Sequence, residues 1–132
     1  MCKKRIEVVA GLLKEEREIL LCQRRDDDTF AGLWEFPGGK IKKGETHQEA
    51  LRRELKEELN IDVEVKELIG IFEDESLGQA IKIYLYRFEI YRGEIKCLGC
   101  KDYIFTSLEI ASRLNLAPAD KKIFKFIKSE VL

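Results

Sequence analysis

Apolar positions fall into short runs separated by charged turns along most of the chain. Residues 6–13 "IEVVAGLL" and 19–22 "ILLC" flank the polar turn "KEERE", and their length and branched side chains predict strands. Residues 63–72, 80–91 and 103–106 read the same way, split by "EDESLGQ" and "RGEIKCLGCKD". The stretch "RRDDDTFAGLWEFPGG" is dense in turn residues, and no regular element is expected there. "SLEIASRL" and "DKKIFKFIKSEVL" carry helical spacing, with Pro118 as punctuation between them. Strands with one central and two late helices predict an α/β domain in which helices cover a mixed sheet. No linker, repeat or low-complexity stretch interrupts the pattern, so residues 1–132 read as a single domain.

The central helix carries the chemistry. Thr46 followed by Glu49 has the spacing of a capping box, which starts the helix at Thr46. Leu51, Leu55 and Leu59 fall within about 80° of one another on a helical wheel and predict the core stripe. Glu54, Glu57 and Glu58 share one arc beside that stripe, half shielded from water, and Ala50 leaves a gap in it. Like charges so spaced repel by a few tenths of a kcal/mol per pair. A solvated face with Arg53 and Glu57 as an i,i+4 pair is one reading, but such a face would interleave lysines. Clustered carboxylates suit a hard divalent cation such as Mg²⁺, which also removes the repulsion. In the preceding "PGGK" turn a backbone carbonyl can face the same cation, because glycine permits close approach, and Lys40 can meet a phosphate oxygen.

Composition narrows the partners. The chain has 132 residues, enough for one core, with 45% hydrophobic and 37% charged residues and a net charge of −1. That balance argues against binding a nucleic acid polymer or a membrane surface. No apolar run approaches the roughly 18–20 residues that span a bilayer. Basic residues precede the first apolar run, as in a signal peptide, yet Glu7 lies inside it and "KEEREI" ends it without a cleavage site. A cytoplasmic location is expected. Four cysteines are present, Cys2, Cys22, Cys97 and Cys100, the last two as "CLGC". One thiol pair and a single histidine, His47 in the first turn of the acidic helix, cannot close a zinc tetrahedron. A redox pair or an accidental spacing in a hairpin loop is left.

Gly39, Glu45, Arg53-Glu54-Leu55, Glu57-Glu58 and Ile61 stand at the spacing of the Nudix box, G-x5-E-x7-R-E-U-x-E-E-x-G-U with U apolar. The sequence resembles that family. Asn60 replaces the last glycine, at a helix end where asparagine best substitutes for glycine in a left-handed cap. "IEVVAGLL", "ILLCQRR", "GLWEFPGGKI" and "LAPAD" extend the likeness over residues 5–128, to the MutT branch of 8-oxo-dGTP diphosphatases and CTP pyrophosphohydrolases.

The resemblance implies a Nudix fold, a three-layer α/β/α sandwich with a mixed β-sheet. It implies Mg²⁺-dependent cleavage of a nucleoside triphosphate, ordinary or oxidised, to monophosphate and pyrophosphate, with Mn²⁺ able to substitute. Gly39, Glu54, Glu57 and Glu58 would hold the metal, and Arg53 would fix the glutamates. Arg24 and Lys40 would steer phosphates, with Asp120 and the apolar wall near Phe36 at the base. Arg24 as a solvated strand-end charge and Asp120 as a helix cap are the plainer readings. Many relatives carry a further acid at the position of Gly99, where Asp102 is the nearest substitute, so the general base is left between Glu54 and Glu45. The partner expected is a small nucleotide, acted on by a monomer or homodimer. A Nudix enzyme for a nucleotide sugar, dinucleotide or RNA cap, or a non-catalytic nucleotide sensor, is the alternative.

Overall fold

Neighbouring residues along the strands bury themselves in two different cores. In the computed structural model, which describes residues 4–76 and 78–130, strand β1 (Lys4–Leu12) sends Ala10 and Leu12 to one core and Val9 to the other. Strand β3 (Glu18–Gln23) does the same, with Ile19 and Leu21 on one side and Leu20 and Cys22 on the other. This is why "ILLC" is apolar throughout instead of alternating: both faces of the strand are covered. Each fully buried leucine or isoleucine contributes roughly 2 kcal/mol.

Helix α1 (His47–Leu59) covers one side, with Ala50, Leu51, Leu55 and Leu59 buried. Ala50 is therefore a core residue, and the expected gap in the acidic arc is absent; its small side chain lets the helix sit close to the strands. On the other side α3 (Pro118–Glu130) buries Ile123, Phe124 and Ile127. Between these layers lie two sheets. The mixed sheet has the order β5-β1-β7-β6, with β5 (Gly38–Lys40), β6 (Asp62–Ser76) and β7 (Gln79–Arg92). Strands β1 and β7 run parallel, with Val8 opposite Ile83, and the remaining pairs are antiparallel. In the second sheet β3 pairs antiparallel with β2 (Lys14–Glu15), β4 (Trp34–Glu35) and β8 (Asp102–Ser107).

Three boundaries differ from the sequence expectations. The turn-rich stretch contains β4 and ends in β5, elements too short to show periodicity. Strand β5 forms because a side chain at Gly38 would strike the backbone of Val9 and Ala10, so only glycine lets the chain pair there with β1. "EDESLGQ" separates β6 from β7 as expected, but more narrowly: β6 runs to Ser76 and β7 starts at Gln79, carried by backbone pairing that charged side chains disguise. Helix α2 keeps only Leu108–Ala111, capped by Ser107, and Pro118 is the first residue of α3. Cys2 and the last two residues of the final predicted helix lie outside the described residues.

Candidate active site

The acidic helix is held at both ends by its own residues. Thr46 Oγ1 accepts the Glu49 N–H at 3.1 Å while Glu49 Oε1 accepts the Thr46 N–H at 2.9 Å. Asn60 takes the left-handed cap, φ 64°, and its N–H bonds the Lys56 carbonyl at 3.1 Å. The box departure at this position fits its geometry.

Arg53 is the hub of the first half of the site. Its guanidinium grips both oxygens of Glu45, at 2.7 and 2.9 Å, and donates to Glu54 Oε1 at 2.8 Å. It also reaches the Lys40 carbonyl at 3.0 Å and, more weakly, Glu57 at 3.4 Å. This fork and the Lys42 N–H hold the Glu45 carboxyl down at about 2. Glu54 lies against Gly39 so closely that any side chain there would overlap its carboxylate. Gly39 is thus required by the acid it faces.

A cavity of about 570 Å³ opens beside these groups, between β1, β5, α1 and the start of α3. Glu54 and Glu58 line it, whereas the Glu57 side chain is 57% exposed and is not part of the lining. Burial pushes the Glu58 carboxyl well up, reinforced by the charges of Glu35, Cys100 and Glu54, and the Gly38 N–H counteracts this. Among the described residues another cleft has Arg5 paired with Glu73 and Lys122 with Asp74.

The opposite wall carries Arg24, Glu35, Phe36 and Asp120. Arg24 donates to Glu35 at 2.7 Å and meets Asp28 at 3.1 Å, so it is not a solvated strand-end charge. Phe36 is 3% exposed, and its backbone N–H donates to Asp120 Oδ1 at 2.9 Å. Asp120 is the third residue of α3 rather than its cap. Burial raises its carboxyl well above the usual range, with the Glu35 charge adding to the effect. Trp34 donates to the Asn115 carbonyl at 2.8 Å and accepts from Ala117 at 2.9 Å, which seats "LAPAD" against this wall. Lys40 is exposed at the mouth.

Glu35 was not anticipated. The available signal was a lone charge between two aromatics, Trp34 and Phe36, where only a paired acid is tolerated. Gly99 packs over Glu58, with room for a Cβ 3.4 Å from the Glu58 Cα. Asp102 does not replace an acid there: it is exposed, accepts the N–H of Tyr103, and is not part of the cavity wall. Contrary to the expectation from spacing alone, "CLGC" has partners in the fold. Cys22 Sγ, Cys100 Sγ and a Glu58 oxygen all lie within 4.8 Å of one another. Hydrogen bonding from Cys22 and Cys97 lowers the Cys100 thiol to about 7 despite burial.

The layers and the acid-lined cavity define a MutT-like fold. The chain superposes on a MutT protein from Methanosarcina mazei Go1 with a TM-score of 0.88 and 25% identity, covering 98% of this chain and 97% of that one. It is 38% identical over 117 residues to the CTP pyrophosphohydrolase of Escherichia coli (strain K12), 89% of this chain and 87% of the relative. It is 41% identical over 95 residues to the 8-oxo-dGTP diphosphatase of Haemophilus influenzae, 71% of this chain and 70% of the relative. The NUDIX domain model matches residues 3–126. The chain belongs to the Nudix hydrolase family, in its MutT-like group.

Proposed function

We propose that this protein hydrolyses a nucleoside triphosphate, ribo- or deoxy-, ordinary or oxidised, to the monophosphate and pyrophosphate, as a housecleaning enzyme of the nucleotide pool. The observation that carries this reading is the single cavity joining Glu54 and Glu58 on one wall to Arg24, Phe36 and Asp120 on the other. Its size suits one nucleotide. The names of the relatives, a CTP pyrophosphohydrolase and an 8-oxo-dGTP diphosphatase, support the same class of substrate.

Magnesium fits the residues present. Glu58 is a shielded carboxylate whose nearest charges oppose its ionisation, and Gly39 is a cradle that a Cβ would fill. Gly39, Glu54 and Glu58 would hold the ion, with Glu57 contributing from outside the lining. When bound, the cation neutralises phosphate charge and lowers the pKa of an attacking water.

The chain's own groups divide the remaining work. Arg53 fixes Glu45, Glu54 and the Lys40 carbonyl in one geometry. Glu45, with both oxygens engaged and its carboxyl held at about 2, serves Arg53 and is a poor proton acceptor. Glu54 is accordingly the residue we assign to take the proton from water that attacks the β-phosphorus. Arg24 and Lys40 draw in the phosphates. Asp120 accepts from a base edge that carries N–H groups, as cytosine, guanine and 8-oxoguanine do.

The test is a screen of the purified protein with Mg²⁺ against ordinary and oxidised nucleoside triphosphates, scoring pyrophosphate against phosphate. Pyrophosphate release from CTP, dCTP or 8-oxo-dGTP is expected. Phosphate as the sole product, or undiminished turnover in excess EDTA, would overturn the reading.

A further inference from the structure

The loop carrying Cys97 and Cys100 is clamped at both ends. The N–H groups of Leu98 and Gly99 donate to the Glu58 carbonyl at 2.9 and 3.1 Å, and Lys96 donates to that of Leu59 at 3.0 Å. These bonds satisfy the last carbonyls of α1, which a helix leaves without partners. At the far end the Lys101 N–H bonds the Gln23 carbonyl at 2.9 Å and seats Cys100 beside Cys22 on β3. Two thiols and a carboxylate from three separate segments thereby converge, with their ligand atoms all within 4.8 Å of one another. Zn–S bonds of about 2.3 Å and Zn–O bonds of about 2.0 Å place tetrahedral ligand atoms roughly 3.5–4 Å apart. The three ligand atoms, all within 4.8 Å of one another, need close by no more than roughly 1 Å to reach it. Magnesium does not suit it, because hard cations prefer oxygen ligands to thiolates.

We propose that Cys22, Cys100 and Glu58 form a three-ligand cation site, specific for a thiophilic divalent ion of the zinc class, with the fourth position left to solvent. Binding releases the thiol protons to solvent as the ligands become thiolates. Cys100 and Glu58 both line the cavity, so an ion held there occupies the Glu58 carboxylate and inhibits the magnesium-dependent reaction; this consequence rests on the role given to Glu58 above. The site itself stands on the geometry of the loop.

Cobalt(II) titration of the thiol-reduced protein, without magnesium or nucleotide, tests the site by a reading independent of turnover. One equivalent should produce a thiolate-to-cobalt charge-transfer band with tetrahedral visible absorption, and excess Mg²⁺ should not bleach it. Cys100→Ala should weaken binding by roughly 100-fold or more, and Glu58→Gln by roughly tenfold or more with the thiolate band kept. Cys22→Ala should resemble Cys100→Ala; because Cys22 is fully buried, the half-buried Cys100 gives the safer variant. No thiolate band in the parent protein, or an undiminished band in folded Cys100→Ala, would overturn the site. In a separate assay one equivalent of Zn²⁺ should slow Mg²⁺-dependent pyrophosphate release several-fold, and much less in Cys100→Ala relative to its own zinc-free rate. Undiminished turnover of zinc-loaded protein would overturn the inhibitory role. Should none of the nucleotides be cleaved, the cobalt spectra still judge the site.

Discussion

The two ends of the acidic site treat their carboxylates in opposite ways. Around Arg53, Glu45 and Glu54 are answered by a guanidinium fork, and Glu45 has a backbone donor as well. One turn further on, Glu58 lies in the cavity wall with Glu35, Cys100 and Glu54 all opposing its charge. Glu45, with both oxygens engaged, is electrostatically complete in the folded protein, and so it is architecture, whereas Glu54 is bonded through Oε1 and still lines the cavity. Glu58 has only the Gly38 N–H to set against three opposing charges, and an acid so poorly compensated in a cavity wall marks a working site.

The largest expected effect tests that division by activity. Glu54→Gln and Glu58→Gln should each lower kcat by roughly 10²–10⁴-fold while far-UV circular dichroism stays unchanged. Near-parental rates in either variant would move the chemistry off the cavity wall. Glu57 is exposed and outside the cavity lining, so Glu57→Gln should cost only about tenfold, seen mainly as a higher Mg²⁺ requirement. A loss as large as that of Glu58→Gln would bring Glu57 into the inner site.

Asp120→Asn sharpens the comparison from the opposite wall. It should change the kcat/KM ratio between amino-bearing and carbonyl-bearing bases by about tenfold, roughly 1–3 kcal/mol, with the metal requirement unaltered. An equal fall on all substrates would reduce Asp120 to its bond with Phe36.

The smallest effect is in stability, and its sign is the test. Glu45 has its folded pKa depressed to about 2, so its contribution is present above its unfolded value of 4.5 and is lost as pH falls from there toward 2. Glu58 has its folded pKa raised, so ionising it opposes folding above that same unfolded value. At pH 7 without metal, Glu45→Gln should therefore lower Tm and Glu58→Gln should raise it, each by a few degrees. Both differences should fade in acid, that of Glu58→Gln below about pH 4.5 and that of Glu45→Gln nearer pH 2. Shifts of the same sign in melts at pH 7 would refute the contrast.

Much of this was readable along the chain because it is local. The cap at Thr46, the stripe of Leu51, Leu55 and Leu59, the left-handed Asn60 and the arc of acids all follow from the turn of a helix. Arg53 beside Glu54 and Glu57 has the same origin. Strands with both faces buried were legible as apolar runs, as in "ILLC". The two-residue β4 and three-residue β5 were not, because pairing there depends on how closely glycine lets β5 approach Val9.

What the sequence by itself determined is the family, the acidic helix and which residues carry charge on it. Only the tertiary structure decided who faces them. Glu35 meets Arg24 because β4 lies beside β3, and Asp120 meets the Phe36 backbone because Trp34 bridges to Leu116. Cys22 meets Cys100 and Glu58 because the β3–β8 register sets Cys22 opposite Tyr103 and the loop before β8 closes on the end of α1. Angular spacing on one helix is a property of adjacent residues. Register between strands eighty residues apart depends on how two sheets bury both their faces at once, and no local stretch of sequence carries it.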